Sequence, residues 1–175
     1  MDHTLVKEPM RIIGTRLVRE MRDEERPTLS CPADVECFLR EHIDMDADRE
    51  VFGVVCLSPS GQVTHAEILS VGTENTTPAD PRAVIRAAVL SAAAAVVLFH
   101  THPTSSLKGP STEDVGITYK MVQATRLMGL YFVDHIILSH DDHFSFAIAA
   151  DVAGCDGIDE FCEKYFEEDK EKDSE

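Results

Sequence analysis

The run Ala95-Val96-Val97-Leu98-Phe99, which leads directly into His100-Thr101-His102-Pro103, constrains the fold more than any other stretch of the chain. An apolar run this short is below helix length, and it lacks the alternation of a strand with one wet face. It predicts a strand buried on both sides, and such strands occur in α/β proteins whose sheets carry helices on each face.

The flanking segments agree with an α/β class. Residues Met10 to Met21 alternate loosely around Ile12, Ile13, Leu17 and Val18 and predict an edge strand, ended by the charged run before Pro27. Ser30 predicts the cap of a helix entered near Pro32, with Val35, Phe38, Leu39 and Ile43 on one face. Glu50 to Leu57 and about Gln62 to Val71 read as a hairpin turning at Ser58-Pro59-Ser60-Gly61. Asp80 can cap a helix from Pro81 to about Ala94, whose alanines allow close approach to a sheet. A loop then precedes a helix capped by Ser111, running to about Met128 and stopped by Gly129. Tyr131 to Ser139 and Phe144 to Ala149 are expected as two strands joined at Asp141-Asp142. A closing amphipathic helix would use Phe161, Tyr165 and Phe166, while the charge-dense stretch Glu163 to Glu175 is expected as a solvated or frayed tail.

At 175 residues and 43% hydrophobic composition, the chain is sized for one core. The expected divisions are an N-terminal strand and linker over 1–29, the main domain over 30–152, and a C-terminal helix with an acidic tail over 153–175. Cys31, Cys37, Cys56, Cys155 and Cys162 form no Cys-x-x-Cys pair, so they predict reduced thiols, mostly in the core. The net charge of -16 opposes sequence-independent binding to nucleic-acid phosphate. The longest apolar stretch, Ala83 to Phe99, is interrupted by Arg86 and Ser91 and falls short of a membrane span. Met1 to Arg11 lacks the apolar centre of a secretion signal, and a cytoplasmic location is expected.

The chemistry concentrates where the buried strand leaves the sheet. His100 and His102 are two residues apart, so strand periodicity projects both imidazoles to one side. Asp114, three residues beyond the Ser111 cap, falls in the first helical turn, where the helix N-terminus favours a carboxylate. Two imidazole nitrogens and one carboxylate oxygen leave the fourth tetrahedral position of zinc for water, which is the ligand count of a catalytic site. Either half alone is commonplace, because Ser-x-x-Asp is also a plain helix-start signature. His135, His140 and His143 form a second candidate group. Two of them flank the acidic turn and the third follows Asp134 in an apolar strand, so hydrogen-bonded or core roles are expected of them.

His100-x-His102-Pro103 followed by Ser111-x-x-Asp114 resembles the signature of the JAB/MPN (JAMM) zinc metallopeptidases. The bacterial RadC-type branch is similar also in Gly72-Thr73, Pro81-Arg82, the alanine run before the histidines and Asp134-His135-Ile136-Ile137, so the likeness spans about Ser30 to Ala150. The resemblance implies the MPN/JAMM fold, a mixed β-sheet sandwiched by helices and related in shape to the cytidine deaminases. It implies Zn2+ held by His100, His102 and Asp114, and hydrolysis of a peptide or isopeptide bond in a protein or peptide substrate. It further implies that Glu50, with Gly53 three residues on, is the general base, and that Ser111 donates a hydrogen bond to the developing oxyanion. Glu67 is the rival base, although a solvated strand acid is the commoner role for such a residue.

Three positions depart from the family pattern. Seven residues, 104–110, separate Pro103 from Ser111, one more than usual, and Gly109 and Pro110 are expected to absorb the insertion. Thr101 stands where RadC-type proteins commonly have asparagine, and Asp80-Pro81-Arg82-Ala83 replaces their usual His-Pro-Arg-Glu. Residues 1–29, ahead of the domain, are not expected to form the helix-hairpin-helix segment often found there. The alternatives are a non-catalytic MPN-like interaction module and a RadC-type factor associated with DNA repair, for which the acidic charge disfavours direct DNA contact. A zinc deaminase is excluded, because its His-x-Glu and Pro-Cys-x-x-Cys are missing. No membrane partner is expected, and the oligomeric state is left open.

Overall fold

The run 95–99 does form the middle of a sheet. In the computed structural model, which describes residues 26–43, 49–72, 79–102, 107 and 109–172, it belongs to β3 (Ala95–Thr101). Around it lie α1 (Pro32–His42), β1 (Val51–Leu57), β2 (Val63–Val71), α2 (Pro81–Leu90), α3 (Thr112–Leu127), β4 (Tyr131–Leu138), β5 (His143–Ser145), α4 (Phe146–Val152) and α5 (Ile158–Lys172). The strand expected over Met10 to Met21 lies outside the described residues.

The strand order is β2-β1-β3-β4-β5, with β3 and β4 parallel and every other pair antiparallel. It is therefore a mixed sheet, consistent with a JAB/MPN-like fold. Val96, Val97 and Leu98 are fully buried because helices cover both faces. On one face Val55, Val97, Phe99 and Ile136 pack with Val35 and Leu39 of α1. On the other, Val54, Val96 and Leu98 meet Val84, Ala87 and Ala88 of α2 and Met121 of α3. His100 follows the parity of Val96 and Leu98, so its imidazole faces the α3 side. No helix among the described residues is long and apolar enough to cross a membrane.

Several boundaries differ from expectation. The cap of α1 is Cys31 rather than Ser30, because Pro32 occupies the first helical position; the Asp34 carboxylate accepts from the Ser30 and Cys31 amides at 2.7 and 3.2 Å. α2 stops at Leu90, where the Ser91 hydroxyl donates back to the Ala87 and Ala88 carbonyls and Ala92 turns to a φ of 51°. The strand expected over Phe144 to Ala149 is only three residues long, and Phe146 opens a helix. Ser145 caps that helix by accepting from the Ile148 amide at 3.1 Å, and Asp134 accepts from the Ala147 amide at 2.9 Å. From Glu163 to Lys172 the stretch expected as a solvated or frayed tail is helical, since α5 runs to Lys172 and buries Ile158 and Cys162 against Val115, Val122 and Phe146, while Glu163, Lys164, Glu167 and Glu168 are exposed. The cysteines are free, but only Cys56 and Cys162 are buried, whereas Cys31 and Cys37 are exposed on and beside α1.

Gly53 of β1 sits where any larger residue would collide. A Cβ there would run into the Phe99 ring and lie 2.6 Å from the Glu67 carbonyl oxygen. Backbone cannot yield as a flexible side chain does, so Gly53→Ala is expected to destabilise the fold by about 3 kcal/mol, the upper part of the usual overpacking cost. Urea unfolding would read this as a lower midpoint at unchanged slope. A wild-type midpoint would mean that β1 and β3 do not approach as described.

Candidate metal centre

The three expected ligands come from two elements that meet at one end of the sheet. His100 is the penultimate residue of β3, and the His102 amide continues the parallel ladder by donating to the Leu138 carbonyl at 2.7 Å. Asp114 is held across from them by the start of α3. Ser111 caps α3 by accepting from the Asp114 amide at 3.1 Å, and in return Asp114 Oδ2 accepts from the Ser111 amide at 2.8 Å and the Ser111 hydroxyl at 2.7 Å. The same capping box that starts the helix therefore aims the carboxylate.

His100 Nε2 lies 2.8 Å from His102 Nε2 and 3.2 Å from Asp114 Oδ1. One donor atom from each residue falls within 4.8 Å of the other two, and among the described residues these are the three that converge in this way. Donors shared by one tetrahedral zinc stand about 3.3 Å apart, given metal–ligand lengths of about 2.0–2.2 Å. The donor set fits such an ion in type, and in spacing once the imidazoles spread by about half an ångström and His102 Nε2, 4.0 Å from Asp114 Oδ2, closes on the carboxylate by somewhat more.

The surroundings keep His100 uncharged. Burial pushes its pKa down to about 4 against the opposing attraction of Asp114, with His102 adding to the fall. Behind it, His100 Nδ1 is 2.9 Å from Nε2 of the fully buried His135, whose Nδ1 lies 2.6 Å from the Thr118 hydroxyl. Burial holds His135 well below the ordinary histidine range, and His100 and His102 reinforce this. A neutral imidazole is the form that binds metal.

The cluster opens into a cleft of about 730 Å³ lined by Glu50, Phe52, Ser111, Glu113 and Lys120 along with the three candidate ligands. That volume is in the range of small-molecule and cofactor sites. α5 braces the cleft from behind, because Tyr165 donates to the Pro110 carbonyl at 3.0 Å just ahead of the Ser111 cap.

The sequence of residues 29–151 matches the model of the RadC-like JAB domain. The chain belongs to the RadC-like JAB domain family. Curated relatives are UPF0758 proteins: one from Rubrobacter xylanophilus is 39% identical over 124 residues, 71% of this chain and 53% of the relative. Another from Desulforamulus reducens is 35% identical over 133 residues, 76% of this chain and 57% of the relative. A third from Salinibacter ruber is 34% identical over 134 residues, 77% and 57% of the two chains. The chain thus spans little more than half the length of the relatives it matches.

Set within the RadC-like JAB frame, the departures acquire physical roles. The Thr101 hydroxyl accepts from the Val51 amide at 3.0 Å, tying the start of β1, and hence Glu50, to the strand that carries the histidines. Part of the long loop, 103–106 and 108, lies outside the described residues, but Gly109 takes a φ of 111° and the Ser111–Asp114 turn still reaches the histidines. Asp80 caps α2 and holds Arg82 in an exposed pair at 2.9 Å.

Glu50 is largely buried and lines the cleft. Glu67 instead faces α2, ion-paired to Arg86 at 2.8 Å and to His65 at 3.2 Å, and is not among the residues lining the cleft. Its carboxyl is partly raised by burial, yet the bonds from Arg86 and His65 leave it below the ordinary range. The second histidine group does not assemble: His140 pairs with Asp141, His143 with Glu36, and only His135 stands near the centre. Thr118 gave no sequence signal, being a mid-helix threonine whose side-chain partner from outside the helix, His135, lies on β4.

Proposed function

We propose that this domain is a zinc-dependent hydrolase of the JAMM type that cleaves peptide or isopeptide bonds. The observation that carries the reading is the convergence of His100, His102 and Asp114 at the floor of the cleft that Glu50 and Ser111 line. Zinc bound by these three residues would polarise the scissile carbonyl and lower the pKa of water toward about 7. Glu50 accepts a proton from the water that attacks the carbonyl carbon, and it returns that proton to the amine nitrogen as the C–N bond breaks. Ser111 has two duties. Its hydroxyl proton rests on Asp114 in the ground state, and turned toward the cleft it stabilises the negative charge growing on the carbonyl oxygen. Glu113 and Lys120 leave one charge of each sign on the cleft wall to contact substrate polar groups.

The zinc-loaded chain incubated with a peptide library and a library of lysine-linked isopeptides, with products read by mass spectrometry, is expected to yield cleavage that a chelator abolishes. Absence of cleavage in both libraries, from protein shown to hold zinc, would make a metal-bearing interaction module the better account.

A further inference from the structure

Behind the three ligands runs a chain of hydrogen bonds whose direction is determined at its far end. The Thr118 hydroxyl is 2.6 Å from the Asp114 carbonyl oxygen and 2.6 Å from His135 Nδ1. A carbonyl oxygen only accepts, and a hydroxyl has a single proton to give. Thr118 therefore donates to Asp114, and His135 must donate to Thr118 from Nδ1. With its proton on Nδ1, neutral His135 has a bare Nε2, which accepts from His100 Nδ1 at 2.9 Å. His100 then carries its proton on Nδ1, on the side away from Asp114 and His102.

We infer that Thr118 and His135 are positioning residues that lock His100 in its Nδ1–H tautomer and keep the Nε2 lone pair directed at His102 and Asp114. Ring flipping of His135 would put Cδ2 and Cε1 where Nδ1 and Nε2 stand and break both bonds, and the packing opposes it. Phe146 stacks on the His135 ring at 5.2 Å with planes 7° apart, and Phe52 meets the same ring edge-on at 6.3 Å. Both Thr118 and His135 are fully buried, so water does not compete for either bond. Phe146 reaches His135 as the first residue of α4 rather than as part of a strand.

The histidine pair is consequently asymmetric. With His100 Nε2 bare, the 2.8 Å contact to His102 Nε2 in metal-free protein needs the proton on His102. His102 must move that proton to Nδ1 to use Nε2 as a ligand, whereas His100 is already in its binding form. The use of Nε2 for a metal rests on the hydrolase proposal; the polarity of the Thr118–His135–His100 chain does not.

Nitrogen-15-labelled full chain, metal-free and at about pH 8 where imidazoles are neutral, tests both parts through long-range proton–nitrogen correlation spectra. His100 and His135 are expected as Nδ1–H and His102 as Nε2–H. Zinc should convert His102 to Nδ1–H and leave His100 as it was. Thr118→Val, nearly isosteric but unable to accept, should mix the His100 tautomers and weaken zinc binding by about 10–100-fold, and Thr118→Ser should restore both. A purely structural threonine would alter melting without moving the tautomers. An Nε2–H tautomer for His100 in the parent, or a Thr118→Val variant with parental tautomers and zinc affinity, overturns the inference. The expected tautomers in a protein that binds no zinc would support it and sink the hydrolase proposal instead.

Discussion

Glu50→Gln is expected to fold, bind zinc as the parent does, and lose hydrolysis by about 10²–10⁴-fold, the usual effect of removing a general base. Glutamine keeps the size and hydrogen-bonding reach of glutamate but cannot take up a proton. The position favours a clean result. Glu50 is anchored through its main chain, whose carbonyl accepts from the Gly72 amide at 2.8 Å, and the next residue is tied to Thr101. The backbone that presents the side chain therefore does not depend on its charge. Glu67→Gln is the matched control, because its ion pairs with Arg86 and His65 are partly exposed and worth no more than about 1 kcal/mol each. Activity retained in Glu50→Gln and lost in Glu67→Gln would reverse the assignment. Zinc lost along with activity in Glu50→Gln would make Glu50 part of the metal site rather than a proton carrier.

What could be seen in the sequence was local. The buried strand, the same-side histidines and the Ser111–Asp114 box each depend on residues within a few positions of one another, and all appear as expected. The errors lie where distant residues decide. Phe144, Phe146 and Ile148 alternate as a strand does, yet Phe146 and Ala150 also share a helical face, and both are buried. Asp134, thirteen residues upstream of Ala147, supplies the acceptor that tips this segment to helix. The acidic stretch after Glu163 is helical because Cys162 is buried in the third core cluster and Tyr165 reaches Pro110, contacts that composition cannot register. For the competing glutamates, the sequence left both on strands, and only the placement of α2 shows that Arg86 engages one of them. Thr118 was invisible for the same reason.

The loss of metal from a ligand variant should be the largest effect on stability, and His102 is the better residue to remove. Its side chain is 29% exposed against 6% for His100, so His102→Ala opens little cavity and leaves the bond between His100 and His135 in place. The parent is expected to carry about one zinc per chain. With free zinc at about 1,000 times its dissociation constant, binding adds about 4 kcal/mol to folding. For a domain of this size each kcal/mol moves the melting point by about 2–4 °C, so zinc should raise it by about 8–16 °C. His102→Ala leaves one imidazole and one carboxylate, too few for a stable zinc site, and its melting point should stay within a degree or two of the metal-free parent. His100→Ala should lose the metal as well but also melt lower without it, since it empties a buried position and orphans the acceptor on His135. Zinc retained at full occupancy by the double variant would refute the site outright. The group His135, His140 and His143 offers no refuge for it, because His140 and His143 are engaged with Asp141 and Glu36 while His135 is enclosed beneath the centre.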